Sequence, residues 1–289
     1  MLKILTKYLL SDLRREIKNR QRIIIALSKG AAMMNARNID LTQPETWEFS
    51  GFSQNGEDGI LDVLRKQLLQ SNRYFIEIGA ADGIENNSGW LVMAEKYNGI
   101  MIEGDPKLVK RACQLVVNYS IGVECLNMFI TRENVHELKS LAFHHDPDIF
   151  SLDIDGNDYY IAQAILDGGF RPKIFVVEYN SVYGPDRNLT IEYKDDFVFT
   201  KAHPTHLYYG VSIAGWRNFF ESRGYRFVTV DRNGVNAFFV DPTAFNPEFL
   251  DNIKGLAFSE NRYQLKKFRM PSDKQFPLIA DQKFFSIQT

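Results

Sequence analysis

From Arg73 onward, short apolar runs alternate with stretches whose apolar residues recur at helical spacing, which predicts a mostly parallel sheet flanked by helices. Five runs read as strands, at residues 74–78, 99–103, 121–126, 149–154 and 174–178, with helices expected at 88–97, 106–117, 134–141 and 157–166. A further helix at 212–223, closed by Gly224, is followed by two more strand-like runs, 226–230 and 235–240. Asp231-Arg232-Asn233-Gly234 joins that last pair, a link that permits a hairpin and cannot hold the crossover helix parallel neighbours require. The sheet therefore ends antiparallel.

Five parallel strands closed by an antiparallel hairpin is the order of a class I methyltransferase: an α/β, Rossmann-like, seven-stranded sheet flanked by helices. A dinucleotide dehydrogenase would have a parallel sixth strand. Ahead of the sheet, Leu2, Leu5, Leu9, Leu13, Ile17, Ile24 and Leu27 fall near helical spacing. Lys3, Lys7, Arg14, Arg15, Lys18, Arg20 and Arg22 lie between them, which predicts a basic amphipathic helix. Such a helix packs on its own domain or on a second copy of the chain, or makes a peripheral contact with a membrane surface. The expected organisation is this helix with a linker at 1–48, a methyltransferase domain at 49–241 and an irregular tail at 242–289. The long stretch from Tyr183 to Tyr209, with Pro185, His203, Pro204 and His206, reads as a lid over the acceptor.

Composition narrows the class. The 289 residues are 45% apolar, ample for a buried core, and the net charge of -2 argues against a generally basic nucleic-acid binder. No run approaches the roughly 18 apolar residues of a membrane span. Asp12, Arg14, Arg15 and Glu16 interrupt any secretory leader. Cys113 and Cys125 match no zinc or disulfide framework and read as packed thiols. The expectation is a cytoplasmic protein, with contact at the inner face of the membrane left open by the first helix.

Candidate chemistry gathers where strands end. In an open parallel sheet, ligands sit beyond the carboxyl ends of the strands. The first strand runs into Glu77-Ile78-Gly79-Ala80-Ala81-Asp82-Gly83, where Gly79 and Gly83 would let backbone approach a ligand closely. Their spacing departs from the Gly-x-Gly-x-x-Gly that seats a pyrophosphate, so a cofactor without one is favoured. The next strand ends in Glu103, about 20 residues further on, where a carboxylate holds both ribose hydroxyls. S-adenosylmethionine (SAM), with ribose, adenine, an ammonium group and no phosphate, matches this inventory. Glu77 and the two glycines would wall its methionine end.

The fourth and fifth strands end in Asp153-Ile154-Asp155-Gly156-Asn157-Asp158 and Glu178-Tyr179-Asn180. Neighbouring strand ends would bring Asp153, Asp155, Glu178 and Asn180 around one cleft, and strand alternation would put Asp153 and Asp155 on the same side. Asp155 or Glu178 could be the base that activates an acceptor hydroxyl, with Asn180 beside them. Asp153, Glu178 and Asn180 offer hard oxygens for magnesium or calcium. Asp153 could instead hold the cofactor's ammonium, Asp155 and Gly156 could form a turn, and Asn157 could cap the next helix.

These motifs, in order, resemble the FkbM-like family of SAM-dependent methyltransferases, in the branch that opens with Ser-Gln-x-Gly-Glu-Asp-Gly, here Ser53 to Gly59. The resemblance continues through Glu77-Ile78-Gly79, Asn86-Asn87-Ser88, Ile102 to Asp105, Asp153 to Tyr159, Glu178-Tyr179-Asn180, Tyr209 to Ser212 and Asn236 to Phe239. It covers roughly Phe52 to Asp241 and leaves out the first helix and the tail. It implies methylation of a hydroxyl on a sugar, glycolipid or secondary metabolite, often in surface-polysaccharide biosynthesis. It also places Ala80 and Asn87 at the cofactor with Glu77, Gly79, Gly83, Glu103 and Asp153. The acidic strand ends are similar, too, to those of cation-dependent O-methyltransferases.

Overall fold

The computed structural model describes residues 2–116 and 119–288, with the side chains of residues 2–12, 15 and 16 outside that description. The chain opens on a long helix, α1 (Leu2–Ala36), and after a short loop forms α2 (Glu57–Lys66), which the sequence pattern did not predict. Strands and helices then alternate: β1 (Tyr74–Ile78), α3 (Gly89–Met93), β2 (Asn98–Glu103), α4 (Pro106–Val116) and β3 (Val123–Asn127). After a 3-10 turn come α5 (Leu138–Leu141), β4 (Ile149–Leu152), α6 (Asp158–Asp167) and β5 (Ile174–Glu178). Val117, expected to end the helix after the second strand, lies outside the described residues.

The second half adds β6 (Leu189–Ile191), α7 (Phe199–Ala202), α8 (Ile213–Glu221), β7 (Arg226–Val230) and β8 (Asn236–Val240). The chain closes with α9 (Pro247–Asp251), α10 (Arg262–Phe268), α11 (Ser272–Gln275) and β9 (Phe284–Ser286). Seven strands form one sheet in the order β3-β2-β1-β4-β5-β8-β7. β1 to β5 run parallel, and β8 pairs antiparallel with both β5 and β7. This is the class I methyltransferase sheet, with its topological switch between β1 and β4, where the chain crosses from one side of β1 to the other.

Alternation along the central strands sends side chains to two cores. Ile76, Ile78, Ile100 and Ile102 join the cluster beneath α6 and α8, whereas Phe75 and Met101 face the opposite cluster with Leu61 and Leu64 of α2. Both faces are covered, which is why the strands read as continuous apolar runs. The amphipathic face of α2 explains its presence: once Ile60, Leu61 and Leu64 are buried against the sheet, the helix needs no stronger local signal.

Three expectations are corrected by this architecture. β4 stops at Leu152, so Asp153 to Asp155 is a turn and strand alternation does not govern it. The stretch after Asp241, expected to be irregular, carries three short helices and a strand that pairs with β6. Ile279 and Ile287 are buried there, which supplies the driving force for order despite the prolines. The stretch from Tyr183 to Tyr209 likewise contains β6 and α7 and is stitched to the carboxyl-terminal segment along that small second sheet.

The helix α1 packs on its own domain through its second half. Ile23 and Ala26 are buried against Phe49, Phe52, Ile84 and Trp90, and Gly30 meets the Trp90 ring so closely that a Cβ would collide with it. Arg22 pairs with Asp82 at 2.6 Å and Glu85 at 3.2 Å, tying the helix to the turn after β1. Leu13, Ile17, Ile24 and Ile25 remain exposed. No helix among the described residues is long and apolar enough to cross a membrane. Cys113 and Cys125 are both free thiols, the Cys113 sulfur lying 3.7 Å from the Cys125 carbonyl.

Candidate active site

Strand register assembles the site. Ile78 of β1 stands level with Ile102 of β2 and Leu152 of β4, so Gly79, Glu103 and Asp153 emerge together beyond the three strands. Leu152 stands level with Val177, which brings Glu178 out beside Asp153. Gly79 has φ of +89°, and a Cβ there would collide with the Asp153 carbonyl oxygen, so glycine is required by both conformation and space.

Beyond these ends lies a cleft of 940 Å³ lined by Gly79, Ala81, Glu103, Asp153 and Asp155, with Ile102, Met128, Phe129, Ile130 and Ile154 forming an apolar slot. Glu103 faces it, each carboxylate oxygen accepting one backbone N–H, from Ala81 at 3.0 Å and Asp105 at 2.9 Å. Each oxygen keeps a lone pair for a ligand hydroxyl. A flat apolar slot beside a fixed carboxylate suits an adenosine group. Lys107 is the one basic residue lining the cleft among the described residues, which gives a pyrophosphate no built cradle.

Other expected cofactor residues serve the frame. Glu77 is buried, one oxygen accepting Asn87 N–H at 2.9 Å and the other accepting the Ser88 N–H and hydroxyl. Its carboxylate therefore clamps the loop ahead of α3, while burial raises its pKa to about 7. Asn87 donates to Ser151 Oγ at 3.0 Å and borders a smaller polar pocket of 240 Å³. Ala80 is buried, its N–H donating to the Ile102 carbonyl and its carbonyl accepting from Asn86; the neighbouring Ala81 lines the cleft in its place. Gly83 packs against Ala112 of α4, where a Cβ would crowd the helix backbone. Its absence of a side chain serves helix packing.

Asp153, Asp155 and Glu178 each place a carboxylate oxygen within 4.8 Å of the others, a spacing a divalent cation could bridge. Asn180, expected in that set, is turned away: its amide N–H groups donate to the Leu207 and Tyr209 carbonyls and its oxygen accepts Val182 N–H. Asn180 therefore anchors the returning loop, and Asp155 takes its place in the cluster. Asp155 reaches there by a left-handed turn, φ +53°. Asp158 holds that turn by accepting the N–H groups of Ile154 at 2.9 Å and Gly156 at 2.8 Å. Asn157 does not cap α6, its side chain bonding to the backbone of Lys194 instead. The positioning role of Asp158 was missed in the sequence, although an acid two residues after glycine at a helix start is a turn-forming signal.

Electrostatics separates this end of the sheet from the other. Away from the cleft, Asp148 pairs with Lys173 at 2.9 Å, Asp62 with Arg65 at 2.6 Å, and Asp241 with Arg171 at 2.5 Å, while buried Asp58 and Asp231 are held by backbone N–H groups. Among the described residues, Asp153, Asp155 and Glu178 have no cationic partner. Burial, then mutual repulsion, pushes Asp153 and Glu178 well above the usual carboxylate range and Asp155 up to about 6. One oxygen of Glu178 is buried with no hydrogen-bond partner. Unpaired acids in a cleft are the arrangement expected where a cationic ligand supplies the missing charge.

A second cleft of 540 Å³ opens on the far side of Asp155 and Glu178, lined by Phe199, His206 and Tyr209 of the 183–209 stretch and by Asn261, Arg262 and Gln264 of the carboxyl-terminal segment. The stretch expected to cover the acceptor thus borders the site on two sides, since Phe197 and Val198 also line the first cleft. The two clefts meet at Asp155.

No protein-family model matches the chain, and no curated protein matches it in sequence. Among solved structures, it is similar to an O-methyltransferase from Bacillus cereus in complex with SAH, the demethylated product of SAM. The identity is 15%, over 76% of this chain and 89% of that one, with a TM-score of 0.41. It is also similar to SAH-bound Podospora anserina methyltransferase PaMTH1, at 13% identity over 73% and 92%, with a TM-score of 0.44. A Methanococcus jannaschii fibrillarin is 12% identical over 64% and 76%, with a TM-score of 0.40. The fold assignment itself rests on the strand order and register described above.

Proposed function

We propose that this chain is a SAM-dependent methyltransferase acting on a hydroxyl of a sugar, glycolipid or secondary metabolite, in keeping with its resemblance to the FkbM-like family. The observation that carries the reading is the juxtaposition of Glu103, beside an apolar slot, with cation-free carboxylates where two clefts meet. SAM, when bound, supplies a methyl group on a sulfonium: the acceptor oxygen bonds to that carbon, the C–S bond breaks with its electron pair staying on sulfur, and the hydroxyl proton is left for a base. Glu103 holds the ribose hydroxyls. Asp153 faces the cationic methionine end. Asp155, at the junction of the clefts, takes the proton, with Glu178 beside it orienting the hydroxyl. The exposed Leu13, Ile17 and Ile24, beside Arg14 and Lys18, form the surface we assign to a peripheral membrane contact or self-association.

Transfer of radiolabelled methyl from SAM into fractionated cell glycans and metabolites tests this directly. Label in a hydroxyl-bearing fraction is expected. SAH binding with no transfer into any fraction would instead favour a binding or scaffold protein. Thermal stabilisation by NAD and not by SAM would favour an oxidoreductase.

A further inference from the structure

The opening motif, Ser53 to Gly59, has no part in the chemistry above, yet two buried carboxylates hold it rigid. Asp58 accepts the N–H groups of Gly51 and Phe52 at 2.7 Å and of Ser53 at 3.0 Å, and its own N–H donates to Ser53 Oγ at 2.9 Å. Glu57 accepts the backbone N–H of Asn55 at 2.6 Å and its side-chain amide at 2.9 Å, and binds Asn236 of β8 at 2.7 Å. So many charge-assisted bonds in one loop fix its position over the sheet. Gln54 is the exposed side chain at its crest, and it has no hydrogen-bond partner among the described residues. It lines the cofactor cleft, the acceptor cleft and the polar pocket of 240 Å³ between them.

That polar pocket has a deficit of donors. Glu77, Asp153, Asp155 and Glu178 line it, and among the described residues no Lys, Arg or His does. Its other amides already give an N–H to the protein: Asn55 and Asn236 to Glu57, Asn86 to the Ala80 carbonyl and Asn87 to Ser151. A ligand that carries a carboxylate as well as a cation finds acids for the cation and few free donors for the carboxylate. We propose that the Ser53–Gly59 loop presents Gln54 so that its side-chain amide donates to the α-carboxylate at the methionine end of SAM. This inference rests on the SAM reading and adds the residue that recognises the amino-acid end of the cofactor. The rigid loop fixes where that donor sits before the ligand arrives.

Calorimetry with two ligands tests it. SAH carries the amino-acid end, whereas 5′-methylthioadenosine keeps the adenosine and lacks the carboxylate. In Gln54→Ala, SAH affinity is expected to fall about tenfold, the effect of one lost hydrogen bond to a charged group, with methylthioadenosine affinity unchanged. Gln54→Glu, similar in shape but without the donor, is expected to weaken SAH further. Thermal unfolding of the ligand-free variants checks that the exposed substitution leaves the fold intact. Equal losses for both ligands, no loss for either, or tighter SAH binding by Gln54→Glu, as contact with the ammonium would give, overturns the inference while leaving the SAM reading in place. Wild-type protein that binds neither ligand removes both.

Discussion

Asp155 is where conformation and charge converge, because a left-handed turn carries its carboxylate to the junction of the two clefts. Its pKa is raised to about 6 by burial and by neighbouring acids, and a base must be unprotonated to accept a proton. The methyl-transfer rate is therefore expected to rise with pH through an apparent value of about 6 or somewhat higher, the titration belonging to the whole cluster. A pH profile of kcat/KM measures this, and a rate flat from pH 5 to 8 would remove Asp155 from the role. Asp155→Asn should lower kcat by about 10² to 10⁴ while leaving SAH affinity within a few-fold. The sequence made the position of Glu103 and the acidic strand ends legible, since an acid that follows an apolar run emerges beyond the carboxyl end of its strand, where the clefts lie. It did not separate Glu77 or Asn180 from them. Those two differ in where their hydrogen bonds go, to loops far away in sequence, and residue type carries no record of that.

At the level of elements, the turn between β4 and α6 is held by Asp158, buried and accepting two backbone N–H groups. Asp158→Ala leaves both donors unpaired and should cost about 2–3 kcal/mol of stability, with a larger proportional loss of activity because Asp155 loses its turn. Denaturant unfolding with parallel activity assays checks this; a stable variant with full activity would contradict it. Strands β1, β5 and β7 were legible to the residue: β1 and β5 because strands of a buried parallel sheet read as largely apolar runs, and β7 because the Asp231–Gly234 turn bounds it. α2 and the carboxyl-terminal helices were not. Their order comes from tertiary burial of residues such as Leu64 of α2 and Leu250 of α9, and from Tyr179 donating to the Ser259 carbonyl at 2.6 Å across eighty residues of chain. A chain ending at Asp241 is accordingly expected to lose its cooperative thermal transition, and a truncated protein with a sharp, near-native transition would show that segment to be dispensable.

Across the whole molecule, buried acids fall into three groups. Asp62, Asp148 and Asp241 pair with Arg or Lys, Asp58 and Asp231 are held by backbone N–H groups, and Asp153, Asp155 and Glu178 at the cleft have no cationic partner among the described residues. The sign of the pH dependence follows. Asp155 binds its proton more tightly folded than unfolded, so its contribution to stability is fully present below about pH 4 and is lost as pH rises through about 6. In the ligand-free protein, Asp155→Asn should therefore match wild type near pH 4 and melt several degrees higher at pH 8. Differential scanning calorimetry at the two pH values decides it, and an equal melting difference at both would contradict the charge argument. The most direct test of the central claim is isothermal calorimetry of SAH with wild-type protein and with Glu103→Ala. Saturable binding by wild type, weakened about tenfold or more in the variant, is the predicted result. No binding to wild type, or equal affinity for both proteins, would contradict the assignment of this cleft to SAM.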